Sequence, residues 1–350
     1  MLIGIHPDRS GEQSYYEKWT KFLEERGVVV RIVDLASQSW LEQVVDCDGV
    51  MWRWNHTPQD RLIAYRILHT IERYLQIPVY PNHATTWHYD EKVSQYYMLK
   101  AAGVPTPETW VFWDKDRALQ WARKVPYPIV FKLSAGASST CVTLVKDFKQ
   151  AEDLISRMFG PGIYPYEVIK EKEKIKLRRL LSHWKRDLVS LSRLEMPGRS
   201  EPRRLWWRVE KNYVYFQEFL PGNAFDTRIM VIGNRAFGYR RFNRPDDFRA
   251  SGSGSLCADN SEIDLRFVRM AHDISEKLGF QSMGYDFMNK NGLPVLSEVS
   301  YTSRDYPVHN CPGHWDLDLN WIEGHMWPEE AQVIDFIEFI KASKDALHVG

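Results

Sequence analysis

Three short stretches carry paired acids, a strand-ending lysine before a small-residue loop, and a Gln-Glu pair. In GYDFMNKNGLPVLSEVS (284–300), Asp286 and Glu298 fall on two apolar runs joined by the turn Asn289–Gly292. A hairpin brings both carboxylates to the same end of neighbouring strands, which suits Mg²⁺, a cation that takes a few carboxylates, water and phosphate oxygens. In VFKLSAGASST (130–140), Lys132 ends an apolar run and a loop of small residues follows. Such a loop lets backbone N–H groups approach phosphate oxygens while the lysine adds a cation. It is not a Walker A loop, because GxxxxGK[ST] is absent. In YFQEFLPG and FDTRIMVIG (215–222 and 225–233), Gln217 and Glu218 lie on a strand that ends at Pro221-Gly222. Each stretch alone also reads blandly, as two acids on a hairpin, a Gly/Ser turn and a solvated strand residue.

Periodicity sets the strands and helices around these residues. Strands are expected at Leu2–His6, Val28–Asp34, Gly49–Trp52 and Pro78–Tyr80, with helices at Gln13–Arg26, Ser39–Val45 and Arg61–Leu75 between them. This alternation implies a small parallel sheet wrapped by helices, with Ser10, Arg53 and His56 at the ligand-facing strand ends. Asp90 is placed to cap a helix running to Ala102, ended by Gly103 and the Pro105/Pro107 pair. Thr109–Phe112, Ile129–Lys132 and Cys141–Val145 read as strands and Asp116–Lys124 as a helix. From Tyr213 the pattern turns β-rich (Tyr213–Phe219, Arg228–Ile232, Ala236–Phe242, Met283–Met288, Leu293–Val299), with helices at Ile263–Leu278 and Pro328–Ala342.

Bulk composition excludes several classes. Lys+Arg 46 against Asp+Glu 46 leaves no global charge to draw the chain to nucleic acid or a membrane surface. Four scattered cysteines read as reduced thiols of a cytoplasmic protein, and no apolar run approaches a membrane span. The heavy aromatic load, with Trp 14, Tyr 17 and Phe 16, reads as core packing, with sugar-stacking platforms as the sharper alternative. One local asymmetry stands out: residues 170–211 carry 14 Lys/Arg and 6 Asp/Glu, inside an apparent insertion at about 163–212. Leu177, Leu180, Leu181, Trp184, Leu188, Leu191 and Leu194 share one helical face there, and the opposite face is basic. That segment is either a solvated helical hairpin or a clamp for an anionic substrate.

Taken in order, the motifs resemble the ATP-grasp superfamily, and within it the RimK-like carboxylate–amine ligases. Asp90, Lys92, Leu99 and AGVPTP are similar to its D-K-x-x-x-x-x-x-L-x-x-A-G-V-P-x-P segment, with Glu91 intruding. Lys132 and its loop, Gln217–Leu220, Asp226 and Arg228, then Arg240, Arg241, Phe248 and Arg249, and last Asp286 and Glu298, twelve numbers apart, follow in the family's order over residues 90–300. The resemblance implies an α/β (α+β) ATP-grasp fold: an N-terminal parallel α/β domain (1–86), a small central lid domain (87–216, with the insertion) and a larger C-terminal α+β domain (217–350), with ATP between the last two.

It also implies roles. Lys92 and Lys132 would hold ATP phosphates under the loop Ser134–Thr140, which includes Gly136, Ser138 and Ser139. Gln217, Glu218, Phe219 and Leu220 would line the adenine, and Asp226 the ribose side. Asp286, Glu298 and Ser300 would chelate Mg²⁺, while Arg240, Arg241 and Arg249 would stabilise an acyl phosphate and the tetrahedral intermediate. Ser300 and Ser251 stand where the family has Asn. The ending EVSY with CPG, HWD and LNW looks like ATP-grasp proteins of surface-polysaccharide clusters, which makes a sugar acid or an amino acid the expected carboxylate and a small amine its partner. Self-association into a homo-oligomer is compatible with this reading. A kinase passing the γ-phosphoryl group to a hydroxyl would need the same Lys132, Asp286 and Glu298 and is the alternative.

Overall fold

A computed structural model of the chain describes residues 1–8, 14–55, 57–136, 141–165, 209–244, 247–250 and 254–349. Ser10, His56, Ser138, Ser139, Ser251 and all but the two ends of the basic insertion lie outside these. The chain folds as two compact units, a larger one of Met1–Tyr89, Ser94–Pro107 and Leu220–Gly350 and a smaller one of Asp90–Val93 and Glu108–Phe219. The N-terminal segment and nearly all of 217–350 thus share one unit.

The strands are β1 (Leu2–Ile5), β2 (Val29–Ile32), β3 (Gly49–Met51), β4 (Val79–Tyr80), β5 (Thr109–Phe112), β6 (Ile129–Lys132), β7 (Val142–Val145) and β8 (Val214–Glu218). They continue as β9 (Phe225–Ile232), β10 (Arg235–Phe242), β11 (Leu256–Cys257), β12 (Ser282–Lys290), β13 (Leu293–Ser300), β14 (Gly313–Trp315) and β15 (Trp321–Glu323).

In the larger unit, β1–β4 form a parallel sheet in the order β2-β1-β3-β4. Helix Tyr15–Glu24 buries Trp19 and Leu23 beside Ile3 and Ile5, and the C-terminal helix Pro328–Val349 adds Phe336 and Ile340 to that cluster. Gly49 is required by this packing, since a Cβ there would stand 2.7 Å from Ile340 and 2.9 Å from Phe336. Helix Pro58–Tyr74, N-capped by Thr57 on the Asp60 N–H at 3.2 Å, packs Leu68 and Ile71 into the other cluster.

The second sheet of this unit is antiparallel in the order β13-β12-β9-β10-β14-β15, with β11 also on β10. Helix Leu265–Leu278 covers it with Phe267, Val268, Ala271 and Ile274, starting at the Asp264 cap and stopping at left-handed Gly279. Phe267 stacks on Phe287 with ring centroids 5.1 Å apart. The hairpin β12–β13 turns through Asn291 and Gly292, both at positive φ (53° and 78°), the conformation an Asn-Gly turn favours.

The smaller unit is a four-stranded antiparallel sheet, β5-β8-β6-β7. Helices Lys115–Ala122 and Phe148–Met158, capped by Asp114 and Asp147, accompany it. Trp121 meets Trp110, Phe112 and Phe216, with centroids 4.9–5.2 Å apart. Phe131 pairs with Phe216 across β6 and β8, so strand alternation puts Lys132 and Gln217 together on the opposite face, at Lys132↔Tyr215 and Val130↔Gln217.

Candidate active site

In the larger unit the chemistry gathers on one face of β9, β10, β12 and β13. Register sets it: Asp226 lies opposite Arg241, Asp286 opposite Arg228 on one side and opposite Glu298 on the other. Side chains directly opposite share a face, as do residues two apart along a strand, so Asp226 and Arg228 go together and Ser300 follows Glu298.

The charges pair closely. Arg228 donates to Asp286 from Nε (2.6 Å) and Nη2 (2.9 Å). Arg241 donates to Asp226 from Nε (2.6 Å) and Nη2 (2.7 Å), and its Nη2 also lies 2.7 Å from Asp286 Oδ2. All four side chains are at most 15% exposed, so these forked contacts are shielded from water. Burial pushes the Asp286 carboxyl up, but Arg228 and then Arg241 outweigh it and hold it down to about 2. Asp226 is paired to one guanidinium where Asp286 has two, and burial prevails there and raises it. Each arginine binds its carboxylate through the Nε/Nη2 edge, and neither Nη1 makes a hydrogen bond among the described residues.

The donor set fits a hard cation. Asp286 stays ionised, Oδ1 accepts a single hydrogen bond, and Glu298 stands beside it in register. Ser300 Oγ donates to the Thr302 carbonyl at 2.8 Å, which leaves its lone pairs as acceptors. Arg240 is elsewhere: next to Arg241 on a pleated strand it faces the other way, pairs with Glu262 and lies over the Phe225 ring. Arg249 is bonded to Asp247, Nε to Oδ1 at 2.8 Å. The structure therefore brings Arg241, and with it the motif residue Arg228, to which the sequence reading gave no role, to the acids, and gives Arg240 and Arg249 other partners. Asp226, expected toward a ribose, has both oxygens on Arg241.

In the smaller unit the Lys92 ammonium donates to the Gly136 carbonyl at 2.8 Å, and Asp90 accepts the Gly136 N–H at 2.8 Å. Asp90 thus gives an oxygen to the loop, two residues ahead of helix Lys92–Ala101. Ser134 ties the same segment down: its carbonyl takes the Lys92 N–H at 3.0 Å and its N–H donates to the Tyr213 hydroxyl at 2.7 Å. Tyr213 in turn donates to Glu210 at 2.7 Å. At the far side of the loop, the Leu133 N–H meets the Cys141 carbonyl at 3.1 Å. Buried Lys132 ends β6 as expected. Gln217 is spent on Thr109 Oγ1 (3.0 Å) and Tyr215 (3.3 Å), and Glu218 accepts the Glu108 N–H at 3.2 Å. Phe219 ends this unit and Leu220 opens the other.

No family model matches the chain. It is 33% identical over 225 residues to the α-aminoadipate–LysW ligase LysX of Saccharolobus solfataricus, a match covering 64% of this chain and 65% of that protein. The match thus spans just under two thirds of that relative's length. Among solved structures, a RimK-domain ATP-grasp protein from Sphaerobacter thermophilus superposes with a TM-score of 0.53 at 15% identity, over 96% of this chain and 99% of that one. D-alanine–D-alanine ligase from Bacillus anthracis, complexed with ATP, gives 0.57 at 13% identity, over 98% and 99%. The ATP-grasp ligase PsnB, complexed with a minimal precursor, Mg and ADP, gives 0.53 at 14% identity, over 97% and 98%. The chain has the ATP-grasp fold that its motifs resemble.

Proposed function

We propose that the chain is an ATP- and Mg²⁺-dependent carboxylate–amine ligase that activates a carboxylate as its acyl phosphate and passes it to an amine. The observation that carries this reading is the single sheet face bearing Asp286, Glu298 and Ser300 beside two guanidiniums whose Nη1 groups make no hydrogen bond among the described residues. Bound Mg²⁺ supplies charge neutralisation at the transferring phosphate. The chain's own residues do the rest. Asp286 and Glu298 hold the cation, with Ser300 as a neutral third donor. Arg228 and Arg241, their Nε/Nη2 edges held by carboxylates, present Nη1 donors to an anion whose charge moves from phosphate to a tetrahedral oxyanion. Lys92 and Lys132, with the small-residue loop, bind the nucleotide phosphates. No side-chain nucleophile is needed, because positioning and electrostatics carry the reaction. LysX, D-alanine–D-alanine ligase and PsnB are all ligases by name, which supports the reading.

The carboxylate substrate is a sugar acid or an amino acid; EVSY, CPG, HWD and LNW support a role in surface-polysaccharide formation. ADP release, screened against sugar-acid and amino-acid pools with amines present, identifies the pair. Labelling then tests the mechanism: ¹⁸O in the substrate carboxylate appears in the released phosphate if an acyl phosphate forms. A stable phosphorylated product with no labelled phosphate overturns the ligase reading in favour of a kinase. Among the described residues no helix is long and apolar enough to cross a membrane.

A further inference from the structure

The two oxygens of Asp286 are not equivalent. Oδ1 accepts one hydrogen bond, from Arg228 Nε, whereas Oδ2 accepts one from Arg228 Nη2 at 2.9 Å and has Arg241 Nη2 against it as an ion-pair contact at 2.7 Å. A carboxylate oxygen has two in-plane lone pairs, so Oδ1 keeps one open to a cation, while at Oδ2 the Arg241 guanidinium already stands where a cation would approach. For Asp286 to offer both oxygens, Arg241 must let go. Arg241 can do so because it is bound twice to Asp226, its partner in register across β9 and β10.

We infer that Asp226 is a positioning residue: its hold on Arg241 lets the guanidinium release Asp286 Oδ2 to the Mg²⁺ without becoming an unpaired buried charge. This rests on the ligase reading for the identity of the cation. Arg241 gives up one ion-pair contact and keeps its two hydrogen bonds to Asp226, so the exchange leaves every charge on this face partnered. Without the Asp226 charge, Asp286 is the remaining carboxylate that Arg241 touches. The guanidinium then grips the metal ligand, and Mg²⁺ must break a buried ion pair to enter. The assignment also accounts for the burial of Asp226, whose side chain is 15% exposed and turned to Arg241.

The experiment is calorimetric titration of ADP into the full chain at a series of Mg²⁺ concentrations. For Asp226→Asn, an isosteric change that removes only the charge, the Mg²⁺ concentration giving half-maximal ADP binding rises about tenfold or more. Its ADP affinity at saturating Mg²⁺ stays within about threefold of wild type. An unmoved Mg²⁺ requirement, with or without a lowered melting temperature, overturns the inference. So does a tenfold or greater loss of ADP affinity at saturating Mg²⁺, which is what a ribose contact by Asp226 gives, roughly the value of one charged hydrogen bond. The neutral pair Asp226→Asn/Arg241→Gln removes anchor and competitor together and returns the Mg²⁺ requirement to wild type or below. This arm also decides the matter if Asp226→Asn alone does not fold, and a requirement that stays raised in the pair overturns the inference. Wild-type chain that binds no ADP at any Mg²⁺ concentration sinks the ligase reading instead, a different result from wild type and variant binding alike.

Discussion

Asp286 and Glu329 are both buried acids of the larger unit, and they stand at opposite ends of the carboxylate range. Asp286 is held at about 2 because two guanidiniums outweigh its burial. Glu329, with a side chain fully shielded from solvent, is pushed by burial from 4.5 up to about 7. Its cation is Lys18, whose Nζ lies 3.5 Å from Oε1, pairs also with Asp305, and sits 3.4 Å above the Trp327 ring. The difference lies in how each cation is delivered. Strand register fixes Arg228 opposite Asp286 and presents a rigid fork. Lys18 reaches across from helix Tyr15–Glu24 as a point charge shared among three partners. Even its place in the first turn of helix Pro328–Val349, where the helix favours anions, does not keep Glu329 ionised below neutrality.

The largest effect is expected at Asp286. Asp286→Ala leaves Arg228 and Arg241 without that partner, and removing one member of a buried pair costs about 3–5 kcal/mol of unfolding free energy. Glu298→Gln is the control: Glu298 is half-buried, and its loss costs stability about 1 kcal/mol or less while turnover falls by roughly a thousandfold on the proposal that it holds the metal. Urea melts and steady-state rates of the two variants measure this. Equal unfolding midpoints would show that the arginines contribute nothing to the fold through Asp286.

Glu329 provides the second test, with the opposite sign in pH. Between 4.5 and about 7 the folded chain keeps a proton that the unfolded chain has released, so stability falls as pH rises through that window. The full effect is roughly 3 kcal/mol. Asp286 runs the other way: its contribution is present above its ordinary 3.8 and is lost as pH falls through about 2. Glu329→Gln flattens the upper leg and leaves the acid leg alone, so denaturant melts at pH 4.5 and 7.5 bring the variant level with wild type at the first and above it at the second. A variant whose stability still falls over that window would place the titration on another group.

What the residues show in advance and what they hide is clear at the hairpin. Asn291-Gly292 announces the turn, but counting back from it puts Ser297, and not Glu298, opposite Asp286. The pairs Lys290↔Leu293 through Phe287↔Leu296 keep the simple count, and a bulge then moves Glu298 into register with Asp286. The bulge has no mark in the sequence, so the pairing of the acids was legible as a motif and not as geometry. Arg228 was legible, since it lies two residues beyond Asp226 and therefore on its face. Arg240 and Arg241, being adjacent, had to face apart, and grouping both with the acids ran against the pleat. Helix Phe148–Met158 was unanticipated although Asp147 caps it and Ala151, Ile155 and Met158 repeat on one face. β14 and β15, three residues each, are too short to show a period. Glu329 gives no sequence signal at all, because its burial comes from contacts made when helix Pro328–Val349 docks beside Tyr15 and Trp19.

Replacing Lys18 changes the cation and leaves the acid in place, with a smaller effect. Lys18→Met keeps an apolar stem over Trp327, whose other ring contact is His309, stacked at 3.8 Å. At pH 5 Glu329 is protonated in the folded chain, so the variant loses the Asp305 pair and the cation–π contact, together about 1 kcal/mol. At pH 8 the wild-type acid is ionised and Lys18 offsets part of its burial. Without Lys18 the acid holds its proton more tightly, and the decline in stability continues past pH 7. The gap between wild type and variant therefore widens by about 1 kcal/mol from pH 5 to pH 8. In a Glu329→Gln background that widening disappears, since no acid remains for Lys18 to relieve, while the constant offset from Asp305 and Trp327 persists. Parallel stability curves in the Glu329 background would mean that Lys18 serves Asp305 and the ring alone, and that Glu329 stands with no working cation.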